Sequence, residues 1–444
     1  MYQLKNILNG YLEKKLISRF IYNTVYLLFT PFIIIYLFLR SRRAPEYRKR
    51  IGERFAYFTQ PKAPIDILIH AVSLGEVNAI SPLIIEIKKK YPHAHIAVTT
   101  TTPTGSNLLR QKFADSIFHT YMPYDISFLI KRFLRKIKPK LLIIVETELW
   151  PNLLFICKKK KIPIMLANAR LSEQSADKYH KLGSFMQKML ACISILAVQT
   201  KEESQRFIKL GMNEQNIRIT GSVKFDIVIP REIIDKAILL RQSFKKKKNI
   251  WIAASTHEGE EEIVLKAFME AKKVISNLLL ILVPRHPERF VNVTNLCRQH
   301  QFSVALRSKN ENFEEMDIYL GDTLGELVLL YGAADLVFLG GSLIQRGGHN
   351  LLEPAALGLP IITGPHMFNF KEIAKLLLSN KGLVQIQDGH SLGETVIGLL
   401  QNGTLRNEIG SNAKRVLENN RGALAKHLDI LQSLINLGEG EVTA

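Results

Sequence analysis

From Phe20 to Leu39 the chain reads FIYNTVYLLFTPFIIIYLFL, an uncharged run whose length suits a helix crossing a bilayer, for which roughly 20 residues are needed. It is too long and too aromatic for a signal-peptide core, and Arg40, Ser41, Arg42 and Arg43 stand where a small-residue cleavage site would follow. The segment is expected to stay attached, with Asn23 and Pro31 weakening a straight span. Residues 44 to 64, APEYRKRIGERFAYFTQPKAP, are polar and punctuated by proline, which predicts a hinge. Beyond it, short runs of Ile, Leu and Val alternate with amphipathic stretches, the rhythm of βαβ units and a parallel sheet. Strands are predicted at Ile65 to Ala71, His95 to Thr100, Leu141 to Glu146, Ile164 to Asn168, Ile195 to Gln199 and Ile217 to Thr220. The charged stretch Ile227 to Lys248, with Pro230, reads as a connection. A second series follows at Ile250 to Ala254, Leu278 to Pro284, Asp317 to Leu320, Leu336 to Gly340 and Pro360 to Thr363. The pattern predicts an α/β chain of two open domains joined near residue 230, binding ligands at the carboxyl ends of strands.

Composition narrows the class. The 444 residues are 47% hydrophobic and 23% charged, which excludes a disordered, collagen-like or coiled-coil chain. Cys157, Cys192 and Cys297 lie far apart and form no CxxC pair, arguing against a disulfide scaffold or structural zinc and for a reducing compartment. Sixty Lys and Arg against 40 Asp and Glu give a net charge of +20, so an anionic partner is expected: nucleic acid, anionic lipid or acidic sugar. The runs Lys88 to Lys90, Lys158 to Lys161 and Lys245 to Lys248 fit such a partner and equally fit solvated helix faces. Bases flank the apolar run on both sides: Lys5, Lys14, Lys15 and Arg19 before it, then Arg40, Arg42, Arg43, Arg48, Lys49 and Arg50. The heavier downstream cluster favours a cytoplasmic main body, while bases on both sides keep a helix lying in the interface as the rival arrangement.

Candidate chemistry sits where predicted strands end. In HAVSLGE a strand, a Ser73-Leu74-Gly75 turn and a helix starting near Glu76 present a carboxylate that can serve as a general base or simply as a helix cap. The helix is expected to start there because Pro82 suits only the first turns. TTTTPTGS offers hydroxyls and backbone N–H groups to an anion. In VETELWPNLL, Glu146 and Glu148 follow an apolar strand, and TGSVKFD sets Lys224 near the domain junction, where a cation can offset leaving-group charge. In the second half, STHEGEE places Ser255, Thr256 and His257 in a loop, and PRHPERF fixes Arg285 and His286 between prolines. Gly340, Gly341, Gly347 and Gly348 suit a phosphate cradle before a helix predicted to start near His349, with Glu353 in its first turn facing ribose hydroxyls. Neither GxGxxG nor a Walker A pattern occurs, so a dinucleotide or P-loop site is unsupported. Histidines are scattered without ligand spacing, and no metal site is predicted.

Taken in order, HAVSLGE, TTTTPTGS, YMPYD, ETELWPNLL, NARLS, TGSVKFD, STHEGEE, PRHPERF, GDTLGEL and GGSLIQRGGHNLLEP resemble the bacterial 3-deoxy-D-manno-octulosonic acid (Kdo) transferases of lipopolysaccharide synthesis, from about Ala44 to Phe370. The resemblance implies a GT-B fold: a membrane anchor at residues 1–43, an acceptor-binding Rossmann-like domain at 44–229 and a CMP-Kdo-binding one at 230–444. It implies inverting transfer of one or more Kdo units from CMP-Kdo to lipid IVA at the cytoplasmic face of the bacterial inner membrane, without a cofactor. By the matching motifs, Glu76 is the general base, and Glu146 and Lys224 stabilise the transition state. Donor contacts fall on Ser255, His257, Pro284, Arg285, Leu324, Gly325, Glu326, Asn350, Leu351, Leu352 and Glu353. A basic face beside an apolar anchor then gathers anionic substrates at an anionic membrane surface. The competing reading on the same fold is a sugar-nucleotide 2-epimerase. A nucleic-acid-binding role would need clustered bases interleaved with aromatics, which are lacking.

Overall fold

The computed structural model describes residues 19–40, 42, 45–244, 249–309 and 316–440. Two compact units emerge: one runs to Val223 and takes back the chain from Arg421, the other spans Lys224 to Asn420. The division expected at 229/230 falls earlier, in the turn Val223–Phe225, and the expected C-terminal domain gives up its last helix. Lys5, Lys14, Lys15, Arg43 and the run Lys245 to Lys248 lie outside the described residues.

The first unit is built on seven parallel strands: β1 (Ile67–His70), β2 (Ile96–Thr100), β3 (Phe118–Tyr121), β4 (Leu141–Val145), β5 (Ile164–Ala169), β6 (Ile195–Val198) and β7 (Ile217–Ile219). They stand in the order β3-β2-β1-β4-β5-β6-β7. In the second unit, β8 (Asn249–Thr256), β9 (Leu278–Pro284), β10 (Val304–Leu306), β11 (Ile318–Leu320), β12 (Leu336–Leu339), β13 (Ile361–Thr363) and β14 (Val384–Gln385) stand in the order β10-β11-β9-β8-β12-β13-β14. Every strand pairs in parallel, so each connection must cross over a sheet face, and helices cover both faces. That is why the central strands are apolar throughout. Leu142 and Ile144 of β4 enter one core while Leu141, Ile143 and Val145 enter the other. In β9, Leu279, Ile281 and Val283 face one layer and Leu278, Leu280 and Leu282 the opposite one. Each such side chain, once fully buried, contributes on the order of 1.5–3 kcal/mol.

The N-terminal apolar run forms α1 (Arg19–Arg40), and Ile21–Leu39 within it has a mean hydropathy of 1.8. Leu28, Phe29, Phe32, Ile35 and Phe38 are exposed along it. Its first turn nevertheless rests on the unit: Tyr22 donates to Asp125 Oδ2 at 3.0 Å, and Asn23 Oδ1 accepts from Asn152 Nδ2 at 2.7 Å. Near its other end the Arg48 guanidinium lies 4.3 Å from the Phe38 ring centre. The segment read as a hinge is instead fastened to the sheet edge. Glu53 Oε2 accepts from the Tyr121 amide at 2.8 Å and from Thr120 Oγ1 at 3.0 Å, capping the outer strand β3. Buried Arg54 donates to Thr101 O and stacks over Tyr121, which absorbs a polar stretch that composition alone assigns to solvent.

Helix α2 (Leu74–Lys90) follows β1, α3 (Pro103–Phe113) follows β2, α4 (Ser127–Ile137) leads into β4, and α5 (Pro151–Lys159) leaves it. Helix α2 begins at Leu74, before the predicted start, because Ser73 caps it by accepting from the Glu76 amide, and Pro82 is accommodated inside it. The helix Ala423–Gly440 returns the chain to the first unit. His427 Nδ1 bonds to Ala423 O at 2.7 Å, which fixes the tautomer so that Nε2 accepts from the Asn168 amide at 2.9 Å, at the end of β5.

Candidate active site

In the first unit the acidic residues gather at the carboxyl ends of the central strands. Glu76 sits in the first turn of α2 with only 8% of its surface exposed. Its Oε2 accepts from the Val72 amide at 2.8 Å and its Oε1 from Ser73 Oγ at 2.9 Å. Burial raises its pKa to about 7; the two hydrogen bonds pull the other way, and the charges of Glu148 and Glu146 add to the rise. Burial outweighs the helix N-terminus, so the carboxyl is divided between acid and base near neutrality.

Glu146 ends β4 in a left-handed conformation (φ 57°), its amide donating to Ala167 O at 2.9 Å. A non-glycine residue held there stores strain, and here it turns a side chain out from the strand end. Asn168, in the last residues of β5, also has positive φ (53°), and its Oδ1 accepts from the Val223 amide at 3.2 Å. Glu148 lies two residues beyond Glu146, and the sequence by itself gives it no separate role. It accepts from Trp150 Nε1 at 2.9 Å, and the indole stands edge-on to buried His70, 4.9 Å between ring centres. Burial raises the Glu148 carboxyl as well. Several of the hydroxyls expected to meet an anion in TTTTPTGS are occupied, while Thr100 Oγ1 is buried without a partner. Thr102 caps α3, and Ser106 bonds to Arg50 Nη1 at 3.0 Å and to His119 Nε2 at 2.8 Å.

In the second unit, strand ends bring His257, His286, His349, Arg285 and Glu353 together. His257 Nε2 and His349 Nε2 are 2.9 Å apart with rings parallel to within 3°, and His286 stands edge-on to His257 at 5.3 Å. Burial first, then the surrounding cations, lower the pKa of His257 and of His349 to about 4. Both rings are neutral at neutral pH, and one must donate its proton to the other across that short contact. The arginines facing His257 are Arg346, Arg285 and Arg289, and Arg285 faces His349 as well. Arg285 follows Pro284 at the end of β9, its amide donating to Thr256 O at 2.9 Å. Ser255 precedes His257 with φ 55° and is buried.

The glycine loop departs from expectation. Its amides at Gly341, Ser342 and Leu343 donate to the carboxylate of Glu260, at 2.6, 3.1 and 3.0 Å. The His257 amide adds a fourth bond at 3.1 Å, and Glu260 is 0% exposed. The anion in this cradle is therefore the chain's own, and a bound phosphate must find other donors. The following helix starts at Leu352 rather than His349, because Gly347 and Gly348 carry positive φ (90° and 72°) and the Leu352 amide is taken by Asn350 Oδ1 at 3.1 Å. Asn350 Nδ2 also donates to Glu353 Oε1 at 3.2 Å, and burial raises the Glu353 carboxyl. Leu351 and Leu352 are buried, so only their backbone can meet a ligand. Leu324 is exposed and Gly325 has φ 82°. The Glu326 carboxylate is held by a two-pronged pair with Arg307 (2.8 and 3.0 Å), a partner that nothing in the sequence singles out. Lys224 opens the second unit.

Two Rossmann-like sheets, with a neutral-range carboxylate at strand ends of one and a histidine–arginine cluster at strand ends of the other, form the GT-B architecture. The fold is shared, at 12% identity and a TM-score of 0.56, with UDP-GlcNAc 2-epimerase from Neisseria meningitidis, over 83% of this chain and 100% of that one. Residues 49–227 match the model of 3-deoxy-D-manno-octulosonic-acid transferases and residues 242–416 that of group 1 glycosyl transferases. The 3-deoxy-D-manno-octulosonic acid transferase of Haemophilus influenzae is 43% identical over 93% of this chain and 98% of its own length. That of Bordetella pertussis is 30% identical over 90% and 96%. The chain belongs to the Kdo transferase family. Its likeness to the epimerase is one of fold alone, and it is the family membership that sets the competing reading aside.

Proposed function

We propose that the protein moves Kdo from CMP-Kdo to a sugar hydroxyl of lipid IVA by a single inverting displacement, with Glu76 as general base. The observation that carries this reading is the Glu76 carboxyl itself: buried at a strand end, oriented by Val72 and Ser73, and ionising near pH 7. The carboxylate takes the hydroxyl proton as the acceptor oxygen bonds to the anomeric carbon, and the bond from that carbon to the CMP phosphate oxygen breaks. Lys224 offsets the charge on departing CMP, and Glu146 favours the positive charge developing on the sugar. Arg285 faces the donor's anionic groups, while neutral His257 and His349 supply hydrogen bonds without competing charge.

The reaction is placed at the cytoplasmic face of the inner membrane, with α1 lying along the interface. Both ends of α1 touch the same unit, through Tyr22 and Asn23 at one end and Phe38 at the other. A spanning helix would carry those ends to opposite sides of the bilayer. Incubating the detergent-solubilised protein with CMP-Kdo and lipid IVA, and following the lipid by mass spectrometry, tests the reaction. Mass gain in whole Kdo increments with matching CMP release supports it and counts the units added. An unchanged lipid, with both substrates shown active on a known transferase, rejects it.

A further inference from the structure

Beside the point where α1 docks, the first unit holds a cavity of about 570 Å³ between α4 and α5. Lys131 and Arg135 line it from successive turns of α4, Lys159 and Lys160 from the end of α5, Ser127 from the start of α4 and Asn23 from α1. Among the described residues no carboxylate lines it. Asp125, which holds the first turn of α1 through Tyr22, is occupied by the Asn152 and Leu153 amides at 2.9 and 3.0 Å.

Two physical arguments give this arrangement a ligand. Lys131 and Arg135 are like charges four residues apart on a helix, a spacing that repels. A basic end of α5 answers the helix dipole, but the dipole of α5 does not account for cations of α4 turning into the same cavity. Four positive groups without an acid become favourable when an anion sits among them, and Ser127 and Asn23 add uncharged hydrogen-bonding groups. The surroundings give the anion its source. The cavity opens beside the polar first turn of an otherwise apolar, exposed helix, and Phe128, next to Ser127, is 62% exposed. A polar pocket flanked by exposed apolar side chains matches the depth at which lipid phosphates lie. Glu76 belongs to α2, whose Val77, Ile80 and Ile84 enter the core on one sheet face, whereas Ile130 and Phe133 of α4 and Leu153 and Ile156 of α5 enter the core on the other.

We propose that this cavity binds the phosphate of an anionic phospholipid headgroup and sets the seating of the protein on the membrane surface. The inference deepens the membrane placement above and rests on it. It assigns a role to half of the run Lys158 to Lys161: Lys159 and Lys160 line the cavity, whereas Lys158 and Lys161 do not.

That difference supplies the test. Full-length protein is floated with vesicles of phosphatidylcholine alone or mixed with phosphatidylglycerol, and the preference for the anionic vesicles is compared among wild type, Lys159→Gln/Lys160→Gln and Lys158→Gln/Lys161→Gln. Both double variants remove the same charge. Loss of two bound cations lowers the preference roughly 30-fold in the Lys159/Lys160 variant, with a much smaller loss in its control. Equal losses, or none, overturn the proposal in favour of diffuse attraction. Kdo transfer to acceptor dispersed in detergent micelles is measured in parallel and stays at the wild-type rate in both variants. A fall in micelle transfer confined to the Lys159/Lys160 variant, with its vesicle preference intact, overturns the proposal by assigning the cavity to the acceptor's own phosphates. Absence of transfer in wild type rejects the proposed reaction and leaves the vesicle comparison standing.

Discussion

Removing the charge of Glu148 should retune the base at Glu76 without touching it. Burial is the largest cause of the rise of Glu76 to about 7, and among the charged neighbours Glu148 comes before Glu146. A base that must be ionised gives kcat/KM an acidic limb at its own pKa, so wild-type activity at pH 6 should be about a tenth of its plateau. Glu148→Gln keeps an oxygen for Trp150 Nε1 and deletes only the charge. Because the burial contribution stays, the limb should move down by about half a pH unit, equivalent to ~0.7 kcal/mol. The ionised fraction at pH 6 then rises two- to threefold on the same arithmetic, roughly, and so does the rate relative to the plateau. The assay is kcat/KM for Kdo transfer from pH 5.5 to 8.5, in roughly half-unit steps, for both enzymes. A lower rate at every pH with an unmoved limb would make Glu148 a structural residue. A wild-type limb near the ordinary carboxylate value would remove Glu76 from the base role.

The same shift has a stability counterpart. A carboxyl whose folded pKa lies above its unfolded one loses stability as pH rises from the unfolded value towards about 7, so Glu76→Gln should be more stable than wild type at pH 8, by on the order of 1–2 kcal/mol, and equal to it at pH 4. Urea denaturation at the two pH values reads this, and the variant should retain CMP binding while losing transfer. Glu260→Ala strands four amide donors and should cost about 3–4 kcal/mol, read by thermal unfolding, and raise KM for the donor more than that for the acceptor. In Gly340→Ala the new Cβ would stand 2.6 Å from Ser255 O and 2.7 Å from Thr256 Cα, so nucleotide binding measured by calorimetry should weaken at least tenfold, roughly the effect of a 1.4 kcal/mol misfit at a closely packed backbone. Cys157, Cys192 and Cys297 are buried, and burial raises the pKa of Cys157 and Cys297 to about 12. None of the three should react with iodoacetamide until the fold is opened by denaturant, as mass spectrometry would show.

Legibility followed burial. Central strands such as β4 and β9 are covered on both faces and announce themselves as unbroken apolar runs. The apolar pattern does not reveal three strands, β3, β10 and β14, each at a sheet edge. Phe118-His119-Thr120-Tyr121 is half polar because its outer side meets Glu53 and Arg50 rather than another strand. Strands β10 and β14 span only three and two residues, too short for any period to register. Glu76 was legible because a strand, a tight turn and a capped helix leave a local signature. The contribution of Glu148 was not, since it acts through space on a residue 72 positions earlier. Glu260 lies within STHEGEE, but its partners are 81 to 83 residues further on, and no local pattern reports a clasp of that span. The return of Ala423–Gly440 to the first unit is likewise a tertiary event, fixed by His427 reaching Asn168.

The clasp also bears on the design of blocking compounds. A chemist looking at the glycine loop would see backbone donors and aim a phosphonate or carboxylate at them. Those donors are already saturated by Glu260, from the interior side of the loop. An anionic warhead sent to those three amides meets a like charge and donors already engaged, and its own dehydration goes uncompensated. The charge that can be answered lies with Arg285 and Arg346, and the neutral His257–His349 stack beside them suits a flat, uncharged ring better than a second acid. Selectivity against ordinary nucleotide-binding proteins, whose glycine loops receive phosphate directly, follows from the same internal carboxylate.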